Sequence, residues 1–111
     1  MNYIEWHMNW LIQIETELQR IRPDENPGRT RTTARRIAGI ALQQFYHQSS
    51  EDFIKLIQSA ADDPVLPSDV RSALERLAAR LDANFNSPSV DPVSDAMIVV
   101  EFVKKHLTMN N

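Results

Sequence analysis

The sequence predicts an all-α fold, a compact bundle of four to five mostly antiparallel helices. Three observations predict it. Apolar residues recur at helical spacing along most of the chain. All six prolines fall outside those periodic stretches and divide them. The stretch richest in β-formers, MIVVEFV, finds no second strand to pair with. A length of 111 residues and an apolar fraction of 42% suit a single helical domain over 1–111 with its own core.

The first helix is expected over about 3–21. Ile4, Leu11 and Leu18 repeat every seven residues, and His7, Ile14 and Ile21 repeat at an offset of three. Together they form an a/d seam, which Met8 and Trp10 widen. RPDENPG (22–28) ends it with two prolines and a glycine. The second helix is expected over about 30–47, with Ala34, Ile37, Ala38, Ala41 and Phe45 on one face. Three alanines there permit close approach to another helix. Gly39 weakens this helix by about 1 kcal/mol relative to alanine.

SSED (49–52) is read as the start of a third helix, capped at Ser49 with Asp52 as early negative charge. Its apolar face is Phe53, Ile54, Ile57 and Ala61. DDPVLPSD (62–69) is a loop, with Ser68 as the next N-cap. Val70, Leu74, Leu77 and Leu81 then define a fourth helix to about 84. NFNSPSVDP (84–92) is the next break. Asp91 before Pro92 matches an N-cap followed by proline at the first helical position. The last segment, 92–107, places Val93, Ala96, Val100, Val103 and Leu107 on one face. Strand is the open alternative for 96–103. The long first helix is expected to pack on the fourth.

Composition excludes much chemistry. No cysteine means no thiol nucleophile, no cysteine-bound zinc and no disulfide. Two glycines eleven positions apart cannot build a common phosphate loop, and neither HExxH nor GxSxG occurs. His7, His47 and His106 fall on three different predicted helices, none with a ligand partner at i+3 or i+4. Glu51–Asp52 suit a helix start, and Asp62–Asp63 suit capping of the loop before Pro64. No enzyme activity, cofactor or metal is expected. The first fifteen residues lack a signal-peptide pattern, and polar residues interrupt every candidate membrane span. A soluble cytoplasmic protein is therefore expected, with no membrane contact.

Charge is the informative feature. Residues 20–36 carry six arginines against Asp24 and Glu25, a formal +4. The remainder holds six basic and thirteen acidic residues, a formal −7. Arginine's planar fork suits bidentate binding of carboxylate or phosphate. Within GRTRTTARR, Arg29, Arg31, Arg35 and Arg36 are the candidate partner-binding residues. Arg29 and Arg36 would align with Gln43 and His47 if the helix began early enough, whereas Arg35 lies nearer the apolar face.

Three readings stand: pairing within the chain, an acidic protein partner, and nucleic acid. The overall acidity ranks nucleic acid last. Residues 30–46, TRTTARRIAGIALQQFY, are similar to the opening helix of TetR-type repressors. They are also similar to the arginine-rich first helix of the helical antitermination factors. Either resemblance implies nucleic-acid binding. SSEDFIKLIQSA departs from the repressors' glycine-containing turn, and no site residue is carried over.

The expectation is thus a small non-catalytic protein–protein interaction module: an adaptor, regulator, assembly factor or immunity-type inhibitor. The alternative is a nucleic-acid-binding regulator using the same arginines. A homodimer is possible through Ile4, His7, Trp10 and Leu11 on the first helix. His7, at a d position, is either a hydrogen-bonded, partly buried side chain or a pH-sensitive interface point. Trp6 and Trp10 are core or interface residues, with a ligand platform as the alternative.

Overall fold

The computed structural model describes residues 3–22, 26–49, 52–79 and 90–109, with side chains from Asn9 onward. Five helices follow in order: α1 Tyr3–Gln19, α2 Pro27–Tyr46, α3 Phe53–Ala61, α4 Ser68–Ala78 and α5 Pro92–Met109. Among the described residues there is no strand. MIVVEFV is helix because its 3- and 4-residue spacing buries Val99, Val100 and Val103 on one face, where no strand edge is available to pair. Leu81 and the 84–92 break, apart from 90–92, lie outside the described residues.

α2 is the central element. It packs against each of the other four helices, and most closely on α5. Its buried residues are Ala34, Ile37, Ala38, Gly39, Ile40, Ala41 and Leu42, a mixture of small and large side chains. Ile37, Leu42, Ile57 and Leu74 are fully buried, each worth roughly 1.5–3 kcal/mol relative to exposure. Side-chain contacts give the directions. Arg35 near the start of α2 meets the end of α4, and Tyr46 at its end meets Asp63 just before α4. α4 is therefore antiparallel to α2. Arg76 meets Asp95, and Phe45 meets Phe102 and His106, so α5 is antiparallel to α4 and runs the same way as α2.

The first helix does not pack on the fourth. Among the described residues α1 touches α2 alone. The apolar face of α4, Val70, Ala73, Leu74 and Leu77, is already covered by α2, α3 and α5. The buried stripe of α1 is Trp10, Ile14 and Glu17, with Leu11, Leu18 and Ile21 half-buried beside it. Trp10 thus sits at the centre of the contact and not on its flank.

Three helix starts differ from expectation. α2 begins at Pro27 because Asn26 is its N-cap: the Asn26 side chain accepts from the Gly28 N–H at 2.7 Å, and proline takes the first helical position. The Asn-Pro pair that reads as a break is a start. α3 is capped by Asp52, which accepts from the Lys55 N–H at 3.0 Å, and not by Ser49. α4 has Pro67 at the cap position without a side-chain cap bond, and Ser68 is the first helical residue. The start of α5 is as expected, with Asp91 accepting from the Ser94 N–H at 3.1 Å.

Candidate functional site

The arginine segment occupies the first half of α2. Its second turn is tied internally, since the Thr32 and Thr33 hydroxyls donate to the Gly28 and Arg29 carbonyls at 3.0 and 3.1 Å. The helix start carries no acidic residue in its first turn. Arg29, the third helical residue, therefore adds positive charge where the helix dipole is already positive.

The four candidate arginines have different surroundings. Arg29 is exposed on the outer face of α2. Arg31 is half-buried, and its Nε is buried without a hydrogen-bond partner. Arg35 turns inward: its Nε donates to the Leu77 carbonyl at 2.6 Å and its Nη2 to the Ala79 carbonyl at 3.4 Å. The last carbonyls of a helix lack intrahelical partners and carry partial negative charge, so a guanidinium suits them. Burial, and then the positive charge of Arg31, pull the Arg35 guanidinium below its usual pKa. Its role in the fold is to cap α4 from α2, which its position near the apolar face foreshadows.

Arg36 points toward α1. Its Nη1 lies 3.5 Å from Glu17 Oε1, and Arg20 Nη1 lies 3.5 Å from the same oxygen. The Glu17 side chain is only 12% exposed, while those of Arg20 and Arg36 are 61% and 44% exposed. Two exposed cations thus share one recessed carboxylate, leaving the cluster positive. Sequence reasoning missed Glu17. The signal was present: it lies three residues after Ile14 and seven after Trp10, a charge on the buried stripe.

Of the four possible dimer residues, Trp10 is 2% exposed, packed within the chain, and Leu11 is half-buried. The side chains of Ile4 and His7 lie outside the described residues. Among the described residues the exposed large apolar side chains are Ile12, Ile54, Val65, Val90 and Met109. Among the described residues no three histidine, aspartate or glutamate side chains come together as a metal-holding group. No described helix is long and apolar enough to cross a membrane.

At the other end of α2, the Tyr46 hydroxyl donates to Asp63 Oδ2 at 2.5 Å, and the Val65 N–H donates to Asp63 Oδ1 at 2.9 Å. Asp63 therefore organises the loop before α4, as its place before Pro64 suggested. The Tyr46 hydrogen bond, with help from Val65, holds the Asp63 carboxyl below its ordinary pKa. Burial foremost, then the bond to Asp63 and its charge, push the Tyr46 phenol well above its own.

The signs give two flanks. A depressed carboxylate adds stability above its unfolded value, about 3.9, and loses it as pH falls through the folded value. A raised phenol adds stability below about 10 and loses it as pH rises through the folded value. Tyr46→Phe should therefore flatten the stability profile below about pH 4 and above about pH 10. Urea unfolding across pH checks this, and parallel profiles for wild type and variant would remove the coupling.

In comparisons with protein-family models, curated protein sequences and solved structures, none matches this chain.

Proposed function

We propose that the chain is a small non-catalytic protein-interaction module, of the adaptor, regulator, assembly-factor or immunity-inhibitor kind, that binds an acidic protein surface through the first half of α2. It does so as a monomer or as a homodimer through α1. One observation carries the reading. Arg29 and Arg31 stand at a helix start with no acidic first-turn residue, and Arg31 already faces the like charge of Arg35. The Arg31–Arg35 pair of like charges at i and i+4 is unfavourable within one chain, and a partner's carboxylate at Arg31 relieves it. The segregation of +4 into 17 residues of a chain with net charge −3 supports the same face.

The contacts of Arg35 and Arg36 decide how to test this. Replacing all four arginines would disturb the α4 cap and the Glu17 cluster together. The informative variant is Arg29→Ser/Arg31→Ser. It should keep the helical circular-dichroism spectrum and lose most binding to glutamate-rich peptides immobilised on a surface. Undiminished binding would remove the segment from function. Wild-type binding to a generic duplex that falls steeply between low and physiological salt would transfer the reading to nucleic acid.

A further inference from the structure

α5 is apolar on two sides. Ala96, Val99, Val100 and Val103 face the core and are buried. Met97, Ile98 and Phe102 lie away from that face and are only half-buried. A helix that is apolar all round is one that is covered all round. MIVVEFV thus carries more apolar surface than the described chain covers. The half-buried side forms one wall of a groove of about 490 Å³, and the start of α4 forms the other. The groove lining falls in two stretches, 67–70 and 94–105, each described without a break. Asp69, Glu101 and Lys105 stand around the apolar floor and are exposed. Among the described residues none of these three has an ion-pair partner.

The order of side chains along this side of α5 is a second observation. Ser94, Ile98, Glu101, Lys105 and Thr108 recur at steps of four and three, so they form one stripe opposite the buried face. Glu101 and Lys105, of opposite charge, lie equally far from residue 103 along the helix, and so do Ile98 and Thr108. The Thr108 hydroxyl is satisfied within its own helix, donating to the Lys104 carbonyl at 2.8 Å. Turned end for end, the stripe therefore sets Glu101 against Lys105 and Ile98 against Thr108. It is complementary to itself.

We propose that this face of α5 is an interface with a second copy of this chain, the two α5 helices lying antiparallel about a two-fold axis at the level of Val103. Glu101 of each copy meets Lys105 of the other, and symmetry makes the contact twice. Asp69 strengthens it. Arg76 meets Asp95, and seven residues separate Asp69 from Arg76 and Phe102 from Asp95. In antiparallel helices Asp69 thus stands at the level of Phe102, and the incoming Lys105 reaches two carboxylates. The apolar floor supplies the attraction and the charges set the direction. A parallel pairing would place Glu101 on Glu101 and Lys105 on Lys105. This inference does not depend on the acidic-partner reading of α2, and it puts self-association on α5 instead of α1.

Sedimentation equilibrium tests it. The wild type should show a reversible monomer–dimer equilibrium. Glu101→Lys and Lys105→Glu each turn both ion pairs into repulsions, and each should weaken dimerisation at least about tenfold. Both residues are exposed, so the helical circular-dichroism spectrum should not change. An equimolar mixture of the two variants should regain wild-type association, because each offers the charge the other lacks, and a folding defect would not be cured by mixing. Ile12→Ser, on the exposed side of α1, should leave the dimer unchanged. A wild type that stays monomeric up to about 1 mM would overturn the proposal. So would a dimer indifferent to the two charge variants, a mixture that stays monomeric, or loss of the dimer in Ile12→Ser.

Discussion

Gly39→Ala should destabilise the fold by about 2 kcal/mol, although alanine favours helix by about 1 kcal/mol over glycine. A Cβ at position 39 would lie 2.2 Å from Phe53 Cδ1, 2.5 Å from its Cγ and 2.8 Å from its Cβ. The Phe53 Cβ is fixed by its backbone, so rotating the ring does not clear the clash. Relief requires the start of α3 to move away from α2. In a Phe53→Gly background the ring and the Cβ are both gone, and Gly39→Ala should then stabilise, by up to about 1 kcal/mol. The sign reversal between the two backgrounds is the measurement, read as the urea midpoint at constant slope. A stabilising Gly39→Ala in the wild-type background would mean that Phe53 does not rest on this glycine.

Gly39 shows where sequence reasoning stops. The periodicity around it identifies the helix and its buried face, and the glycine registers only as a defect in that helix. Its purpose depends on Phe53, fourteen residues later, and on how α3 crosses α2. Helix existence and most of the apolar faces were legible because they depend on spacing within one segment, although Ile54, expected on the apolar face of α3, is exposed and Leu56 and Ala60 are buried there instead. Val70, Leu74 and Leu77 are buried as their spacing requires. Partner choice was not legible, because an apolar stripe does not name the stripe it meets. α1 packs on α2 for that reason, and not on α4.

The helix starts failed for a narrower cause. Asn26 and Pro27 are signals for a break and for a start alike, and only the chain direction after them separates the two. The candidate site divides along the same line. The charge of the segment is local and was legible. The attachment of Arg35 to the carbonyls of Leu77 and Ala79 is a contact across more than forty residues, beyond the reach of spacing.

Arg76→Ala should cost about 3 kcal/mol, and more than Asp95→Ala, although both remove the same ion pair. Arg76 Nε lies 3.2 and 3.1 Å from the two carboxylate oxygens of Asp95, and Nη2 lies 2.7 Å from Oδ1. The pair joins the last turn of α4 to the first turn of α5. The burial of the two ends is unequal: the Asp95 side chain is 9% exposed, that of Arg76 40%. Removing Asp95 lets the guanidinium turn to water, so the loss is the pair itself and the carboxylate's interaction with the α5 dipole, about 1–2 kcal/mol. Removing Arg76 takes two donors, and the three hydrogen bonds they make, from a carboxylate largely shielded from water, and the desolvation of that charge is then opposed by far less. Chemical denaturation of the two single variants and the double variant separates these terms. The double variant should fall well short of the sum, since with Asp95 gone there is no recessed charge for the loss of Arg76 to strand. Equal single effects that add would mean that solvent reaches Asp95. The consequence extends to α2, because Arg35 grips the carbonyls immediately after Arg76. Two arginines thus fasten one turn of α4, one from α2 and one toward α5. Loosening that turn should also loosen the helix that presents Arg29 and Arg31. Any loss of partner binding on replacing Arg35 or Arg76 therefore has to be read against stability before it is assigned to contact.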